Sequence, residues 1–202
     1  MNIDKKYYQE INENLTNTIQ DTNISAPNKK VGKVRDAYFL NDKVVMISTD
    51  RQSAFDRVLA AIPYKGAVLN SVSAWWFKKT EHLFPNHLIS TPDPNVSIVE
   101  KCTVFPVEFV VRGYITGTTD TSLWTVYNNG DREYCGNSLP EGLKKNDKLD
   151  KPMLTPTTKD KVHDRPVSRE EIIDLGLMSA EDYDLAAKMS LDLFAFGQET
   201  AK

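Results

Sequence analysis

The chain has 202 residues, 40% of them hydrophobic and 26% charged, with a formal net charge of −3. That length supports one large domain or two small lobes with a real core, and that charge offers neither a polybasic nucleic-acid surface nor an acidic tail. No apolar run approaches the ~18 residues of a membrane span, and "MNIDKKYYQEINENL" lacks the apolar stretch of a signal peptide. The two cysteines, Cys102 and Cys135, share no metal-ligand spacing with histidine, a usage that suits a reducing cytosol.

Tyr7, Ile11, Leu15 and Ile19 recur at helical spacing and predict an amphipathic helix, followed by a polar connector, "QDTNISAPNKK". Residues 31–40 and 43–49 read as strands around a tight "ND" turn, with a further short strand over Val58–Ile62. After Gly66, the residues Val68, Leu69, Val72, Trp75 and Trp76 form the stripe of a helix ending near Pro85, and "STPDPN" reads as a loop. Pro106 divides "VSIVEKCTVFPVEFVVRGYIT" into two strands, since proline has no ladder donor. A short helix is predicted over Asp120–Tyr127, then an irregular stretch from Asn128 to Arg165, of a length that is usually functional or disordered. Ser168 and Glu171 have the spacing of a capping box before a helix that stops at Gly176. The last helix has Tyr183, Leu185, Met189, Leu193 and Phe196 as its expected inner face. The order predicts an α+β protein of two lobes, residues 1–104 and 105–202, joined near residues 102–107.

Several stretches concentrate chemistry. In "GKVRD", read as a strand, Lys33 and Arg35 share a face opposite Val34 and Asp36, and Gly32 lets a ligand approach the backbone. Two cations beside a glycine suit a polyphosphate, although a solvated strand face has the same composition, and the spacing is not that of a Walker A loop. "STDRQSAFD" crowds Asp50, Arg51, Ser53 and Asp56 after an apolar strand, as binding sites and ordinary turns both do. "EFVVRGYITGT" delivers Arg112 towards a turn flanked by Gly113 and Gly117, with Thr116, Thr118 and Thr119 nearby. That arginine suits a phosphate or carboxylate, or equally a surface acid, and Glu108 is either an outward strand residue or a buried carboxylate. "GNSLPEGL" and "PMLTPTTKDKVHD" read as loops in which Lys159 reaches a phosphate and His163 and Asp164 meet a polar substrate, or as plain surface. His82 and His87 flank a helix end and read as caps or packing.

Taken in order, "GKVRDAY", "STDRQSAFD", "PVEFVVRGYITGT", "GNSLPEGL" and "TPTTKDKVHD" resemble the phosphoribosylaminoimidazole-succinocarboxamide synthase, or SAICAR synthetase, family over roughly residues 30–198. The resemblance implies a kinase-like or ATP-grasp-like pair of α+β lobes with ATP between them. It implies a purine-biosynthesis ligase that joins L-aspartate to the carboxylate of carboxyaminoimidazole ribotide (CAIR), using ATP and Mg²⁺, chemistry that rests on positioning and charge neutralisation. By position it implies Gly32, Lys33, Val34 and Arg35 over the ATP phosphates, and Glu100, Cys102 and Val104 beside adenine. Lys159 then lies near the nucleotide, and Arg112 and Thr118 hold CAIR. Asp50, Ser53, Asp56, His163 and Asp164 fall on the substrate side, and Lys33, Arg112 and Lys159 become the catalytic candidates. No protein-kinase signature of the H-R-D or D-F-G type is present.

The family continues past its last helix with an Asp-x-Lys-x-Glu-Phe-Gly strand and a later acidic and arginine-bearing motif, whereas this sequence ends at "FAFGQETAK". The magnesium carboxylates are therefore expected outside the 202 residues, and a non-catalytic ATP- and CAIR-binding fragment is the alternative to an active ligase. A homo-oligomer is left open.

Overall fold

A computed structural model of the chain describes residues 5–54, 57–159 and 164–202. Asp56 and His163 lie outside the described residues. The chain divides into two compact units, Met1–Thr103 and Val104–Lys202.

The first unit opens with α1 (Lys5–Glu13), shorter than the stripe to Ile19 predicts. The Asn14 amide donates to the Glu10 carbonyl at 2.9 Å, a side-chain competitor for helical backbone bonds, and Tyr7, Ile11 and Leu15 stay exposed. Strands β1 (Lys29–Val31), β2 (Arg35–Phe39) and β3 (Lys43–Ser48) follow. Next come β4 (Arg51–Ala54), β5 (Arg57–Ala61), α2 (Lys65–Thr80), β6 (Leu88–Asp93) and β7 (Val96–Glu100). Five strands form an antiparallel sheet in the order β1-β2-β3-β7-β6, while β4 and β5 make a separate ribbon.

The predicted tight turn at Asn41-Asp42 joins β2 to β3 and is closed by Leu40 N–H on the Lys43 carbonyl at 2.9 Å. Two readings are corrected. Much of "STPDPN" is strand β6, where Pro92 is tolerated because β6 is an edge. On α2 the predicted apolar stripe is not the inner face: Val68, Leu69, Val72 and Trp75 are half-exposed, and Gly66 and Asn70 are buried. The helix lies against β3, β6 and β7 through small and polar positions because Asn70 is tied to the sheet. It donates to the Pro94 carbonyl (3.0 Å) and accepts from the Ser97 hydroxyl (2.7 Å).

The second unit contains β8 (Val107–Glu108), β9 (Val111–Tyr114), α3 (Leu123–Asn128), β10 (Glu133–Tyr134) and β11 (Asn137–Ser138). It continues with β12 (Lys148–Leu154), β13 (Thr157–Thr158), α4 (Arg169–Asp174) and α5 (Ala180–Thr200). The stretch from Asn128 to Arg165, expected to be irregular, thus carries four short strands; β12 pairs with β9, β13 with β8, and β10 with β11. Charges and Pro152 hide β12 in the sequence, and a register shift between Lys148 and Met153 accommodates the proline.

Two apolar clusters build this unit. One gathers Ile115, Leu123, Tyr127, Tyr134, Leu139 and Leu149; the other gathers Val107, Val167, Ile172, Met178 and Tyr183. The capping box forms: Ser168 accepts from Glu171 N–H (3.2 Å), and the Glu171 carboxylate accepts from Ser168 N–H (2.8 Å). The inner face of α5 runs through Tyr183, Ala186 and Ala187, and Phe194 reaches the backbone of β9 at Gly113. Leu185 and Leu193, expected inside, are exposed because the helix turns its small residues to the core. No helix among the described residues is long and apolar enough to cross a membrane.

Candidate functional site

In the first unit the "GKVRD" stretch is not one strand. β1 ends at Val31 and β2 begins at Arg35, so Gly32, Lys33 and Val34 form the hairpin loop. The same-face pairing of Lys33 and Arg35 is therefore corrected, because the alternation that it assumed breaks at the loop. Gly32 is required here: its N–H donates to the Arg35 carbonyl at 2.8 Å, and a Cβ would sit 2.9 Å from that same oxygen. Alternation does hold from Arg35 onwards. Arg35 pairs across from Ser48 and Ala37 from Met46, on the face that α2 covers, while Asp36 and Tyr38 point to the opposite face.

That opposite face is a buried ionic network. Arg51, 7% exposed, donates from Nε to the Lys33 carbonyl (3.2 Å) and from Nη2 to the Gly32 carbonyl (3.0 Å) and the Asp36 carboxylate (2.7 Å). Its Nη1 donates to the Gln20 carbonyl at 2.5 Å. Asp36 is fully buried and also accepts from Thr22 Oγ1 (2.7 Å), with Lys29 Nζ at 3.2 Å. Burial by itself raises the Asp36 pKa, but the hydrogen bonds from Arg51, Thr22 and Lys29 outweigh it and hold the carboxyl below its ordinary value. Lys29 is shifted upward, chiefly by its hydrogen bond to Asp21. Tyr38 Oη donates to the Thr22 carbonyl at 2.7 Å. The connector "QDTNISAPNKK" thus supplies Gln20, Thr22 and Lys29 to the loop's foundation, a role that composition conceals.

Asp50, expected to face substrate, is 3% exposed and has both oxygens engaged by backbone amides, from Ile19 (2.8 Å) and Gly66 (2.9 Å). Gly66 is fixed by this arrangement, since a Cβ there would lie 2.3 Å from the Ser48 carbonyl oxygen. Ser53 lies partly exposed in β4, opposite Val58. Thr49 donates to the Val34 carbonyl from both N–H (3.0 Å) and Oγ1 (2.9 Å).

On the α2 face of the sheet is a cavity of about 250 Å³, whose lining includes Val34, Arg35, Met46, Lys65, Phe77 and Val99. Phe77 stacks edge-on against His87, with ring centroids 5.1 Å apart, so that histidine packs at the cavity wall. Glu100 closes β7, and Cys102 beyond it is an exposed free thiol. Among the described residues no group of three or more His, Cys, Asp or Glu is placed to hold a metal ion. Asp36 and Asp50 do not fit a magnesium site, because their oxygens are already engaged by other groups.

In the second unit Val104 is 84% exposed. Arg112 lies within β9, opposite Met153, rather than at a strand end, and its Nε donates to Thr155 Oγ1 at 3.0 Å. Thr155 is fully buried and in turn donates to the Val110 carbonyl at 3.1 Å. This orients the Arg112 guanidinium, a partner that no spacing in the sequence announces. Thr118 lies exposed in the segment after β9, and Thr116 donates to Asn146 at 2.7 Å. Lys159 contacts Glu108 at 2.5 Å and Asp164 at 3.3 Å, and all three side chains are close to half-exposed. The hydrogen bond that Lys159 Nζ donates to the Glu108 carboxylate is the main cause of an upward shift in the Lys159 pKa, so the ammonium form persists at neutral pH. Glu108 is therefore an outward strand residue paired with Lys159.

The SAICAR synthetase family model matches residues 28–202. Phosphoribosylaminoimidazole-succinocarboxamide synthase of Legionella pneumophila is 56% identical over 184 residues, which is 91% of this chain and 59% of the relative. The chloroplastic enzyme of Arabidopsis thaliana is 55% identical over 197 residues, covering 95% of this chain and 48% of its own length. Among solved structures, SAICAR synthase of Saccharomyces cerevisiae complexed with SAICAR aligns at a TM-score of 0.73 and 28% identity, over 88% of this chain and 64% of that one. The chain thus spans about half to three-fifths of the length of these sequence relatives. These matches, with the mixed α+β architecture they share, establish that the chain belongs to the SAICAR synthetase family.

Proposed function

We propose that the chain carries the ATP-dependent ligase chemistry of its family, joining L-aspartate to the carboxylate of CAIR to give SAICAR, ADP and phosphate. The observation that carries this is the Gly32–Val34 loop, held from behind by Arg51 and Thr49 and set beside the cavity lined by Val34 and Arg35. Family membership and the yeast relative's complex with SAICAR support the substrate assignment.

In this reading Gly32, Lys33, Val34 and Arg35 take the phosphates, with Glu100, Cys102 and Val104 meeting adenine. Arg112, oriented by Thr155, and Thr118 hold the phosphoribosyl or carboxylate end of CAIR, and Lys159 lies near the nucleotide. Asp50, Ser53 and Asp164 belong to the substrate side, Asp50 acting through the backbone that it fixes. The γ-phosphoryl group passes to the CAIR carboxylate, and the aspartate amine then displaces phosphate to form the amide. The residues present contribute positioning and cationic stabilisation of the phosphates. Magnesium bound to ATP would neutralise phosphate charge, and the described residues offer no carboxylate set that would hold it. Two free thiols fit a reducing compartment such as the cytoplasm.

The test is calorimetry of the chain with MgATP and with CAIR, run beside a coupled turnover assay containing all three substrates. Saturable binding of both ligands supports the sites, and SAICAR formation supports the ligase. Binding without product leaves a binding module, and no binding of either ligand overturns the reading.

A further inference from the structure

We infer that Arg51 is a positioning residue for the polyphosphate: it sets the hairpin loop so that consecutive backbone amides face the nucleotide side of the sheet. The inference rests on the ATP reading above and extends it to a residue that touches no ligand. A peptide group is planar and trans, so each carbonyl and the next residue's N–H point in opposite directions. No cis peptide bond is present among the described residues. The Gly32 and Lys33 carbonyls both turn to the Arg51 guanidinium, which binds Asp36 on the face away from α2. The N–H groups of Lys33 and Val34 must then point the other way, to the face that carries Arg35 and the cavity. Successive amides aimed to one side form a concavity that attracts anions.

Arg51 itself does not reach that face. It is 7% exposed, and its donors already serve three carbonyls and one carboxylate. Its planar fork is what allows one side chain to hold acceptors on two segments and on Asp36, a geometry that lysine lacks. Thr49 fixes the loop's exit by holding the Val34 carbonyl twice. The cation thus acts on a negatively charged ligand only through the direction of the backbone.

The experiment compares binding of adenosine, AMP, ADP and ATP, with Mg²⁺, to the wild-type chain, Arg51→Lys and Thr49→Val. In the wild type, affinity should climb with each phosphate. In Arg51→Lys the climb should flatten, ATP losing about tenfold or more for the loop contacts forfeited while adenosine is held as before. Thr49→Val keeps its backbone bond and should fold, with a smaller loss confined to the phosphorylated ligands. Equal losses along the whole series would make Arg51 merely structural and overturn the inference. An unchanged series in both variants would also overturn it while leaving the ATP site intact. A wild-type chain that binds ATP no tighter than adenosine would overturn both readings. Independently of any variant, tripolyphosphate should slow hydrogen exchange at the Val34 amide in the wild-type chain, and unaltered exchange at saturating tripolyphosphate counts against the inference.

Discussion

The loop of the first unit and the Lys159 cluster of the second place charge in opposite settings. Around the loop, Arg51 and Asp36 are buried and their polar atoms are shared with backbone and with Thr22. Around Lys159, the ammonium and both carboxylates are close to half-exposed, and the ion pairs have water as a ready substitute. A buried pair fixes geometry because losing one partner strands the other without solvent, whereas an exposed pair can open for a ligand at small cost. The first region is built to hold a shape, and the second leaves its charges open to solvent.

The most damaging test of this contrast is Asp36→Asn. It removes the charge that Arg51 and Lys29 face in a fully buried position, so unfolding stability should fall by about 3–5 kcal/mol, read from urea transitions. The sign with pH follows from the depressed pKa. The folded carboxyl titrates below the ordinary 3.8, so its stabilisation is complete above that value and is lost as pH falls through the lower folded pKa. The gap between wild type and variant should therefore close in acid below about pH 3.8 and stay open at neutral pH. A variant as stable as wild type at pH 7 would mean that the network is not buried in the way described.

Gly66→Ala probes the same foundation from the helix side. The added Cβ would lie 2.3 Å from the Ser48 carbonyl oxygen and 2.6 Å from Asn95 Nδ2, so β3 or α2 must shift. A loss of about 1–3 kcal/mol is expected from such overpacking, together with loss of the Gly66 N–H bond to Asp50. Thermal unfolding and hydrogen exchange at Gly66 measure the two effects.

The sequence discloses these two regions unequally. Alternation in β2 and β3, the "ND" turn and the Ser168 capping box are local signals, and each appears where its pattern predicts. The loop was legible as a cluster of cations beside a glycine, but not as a hairpin turn, because its conformation depends on Arg51 from a later segment and Gln20 from an earlier one. The strands β6 and β12 were hidden for a related reason: an edge position tolerates Pro92, and a register shift accommodates Pro152, and neither context is visible locally. The stripe of α2 misled because apolar period implies an inner face only when the facing sheet is apolar, and here Ser97 receives Asn70. Motif order carried the family, while long-range hydrogen bonds decided which residues of each motif point to a ligand.

In the second unit, Thr155→Val should release Arg112 from its orienting bond while keeping the side chain's shape. It leaves the Arg112 Nε without its Thr155 partner and removes the hydroxyl bond to Val110, for an expected loss of about 1–2 kcal/mol in urea unfolding. If Arg112 holds CAIR, affinity for CAIR should drop with it and affinity for ATP should not. A parallel fall in both affinities would place Arg112 in the general framework of the unit.

The smallest effect on stability should come from Lys159→Ala, and that is what gives the change its value. Lys159, Glu108 and Asp164 form an exposed triplet whose pairing is screened by salt and competes with hydration. The variant's melting temperature should match that of wild type at moderate ionic strength, in contrast to Asp36→Asn. Ligand binding should respond differently. If Lys159 lies near the nucleotide as proposed, its loss leaves Glu108 and Asp164 uncompensated there, and ATP affinity should fall, most sharply at low salt where the bare carboxylates repel a phosphate. A melting shift comparable to that of Asp36→Asn would erase the distinction between the two regions. A stable variant with unchanged ATP affinity at low salt would keep the distinction but remove Lys159 from the nucleotide's surroundings. Intact folding together with a salt-dependent loss of ATP affinity would support both the contrast in burial and the proposed place of Lys159 near the nucleotide.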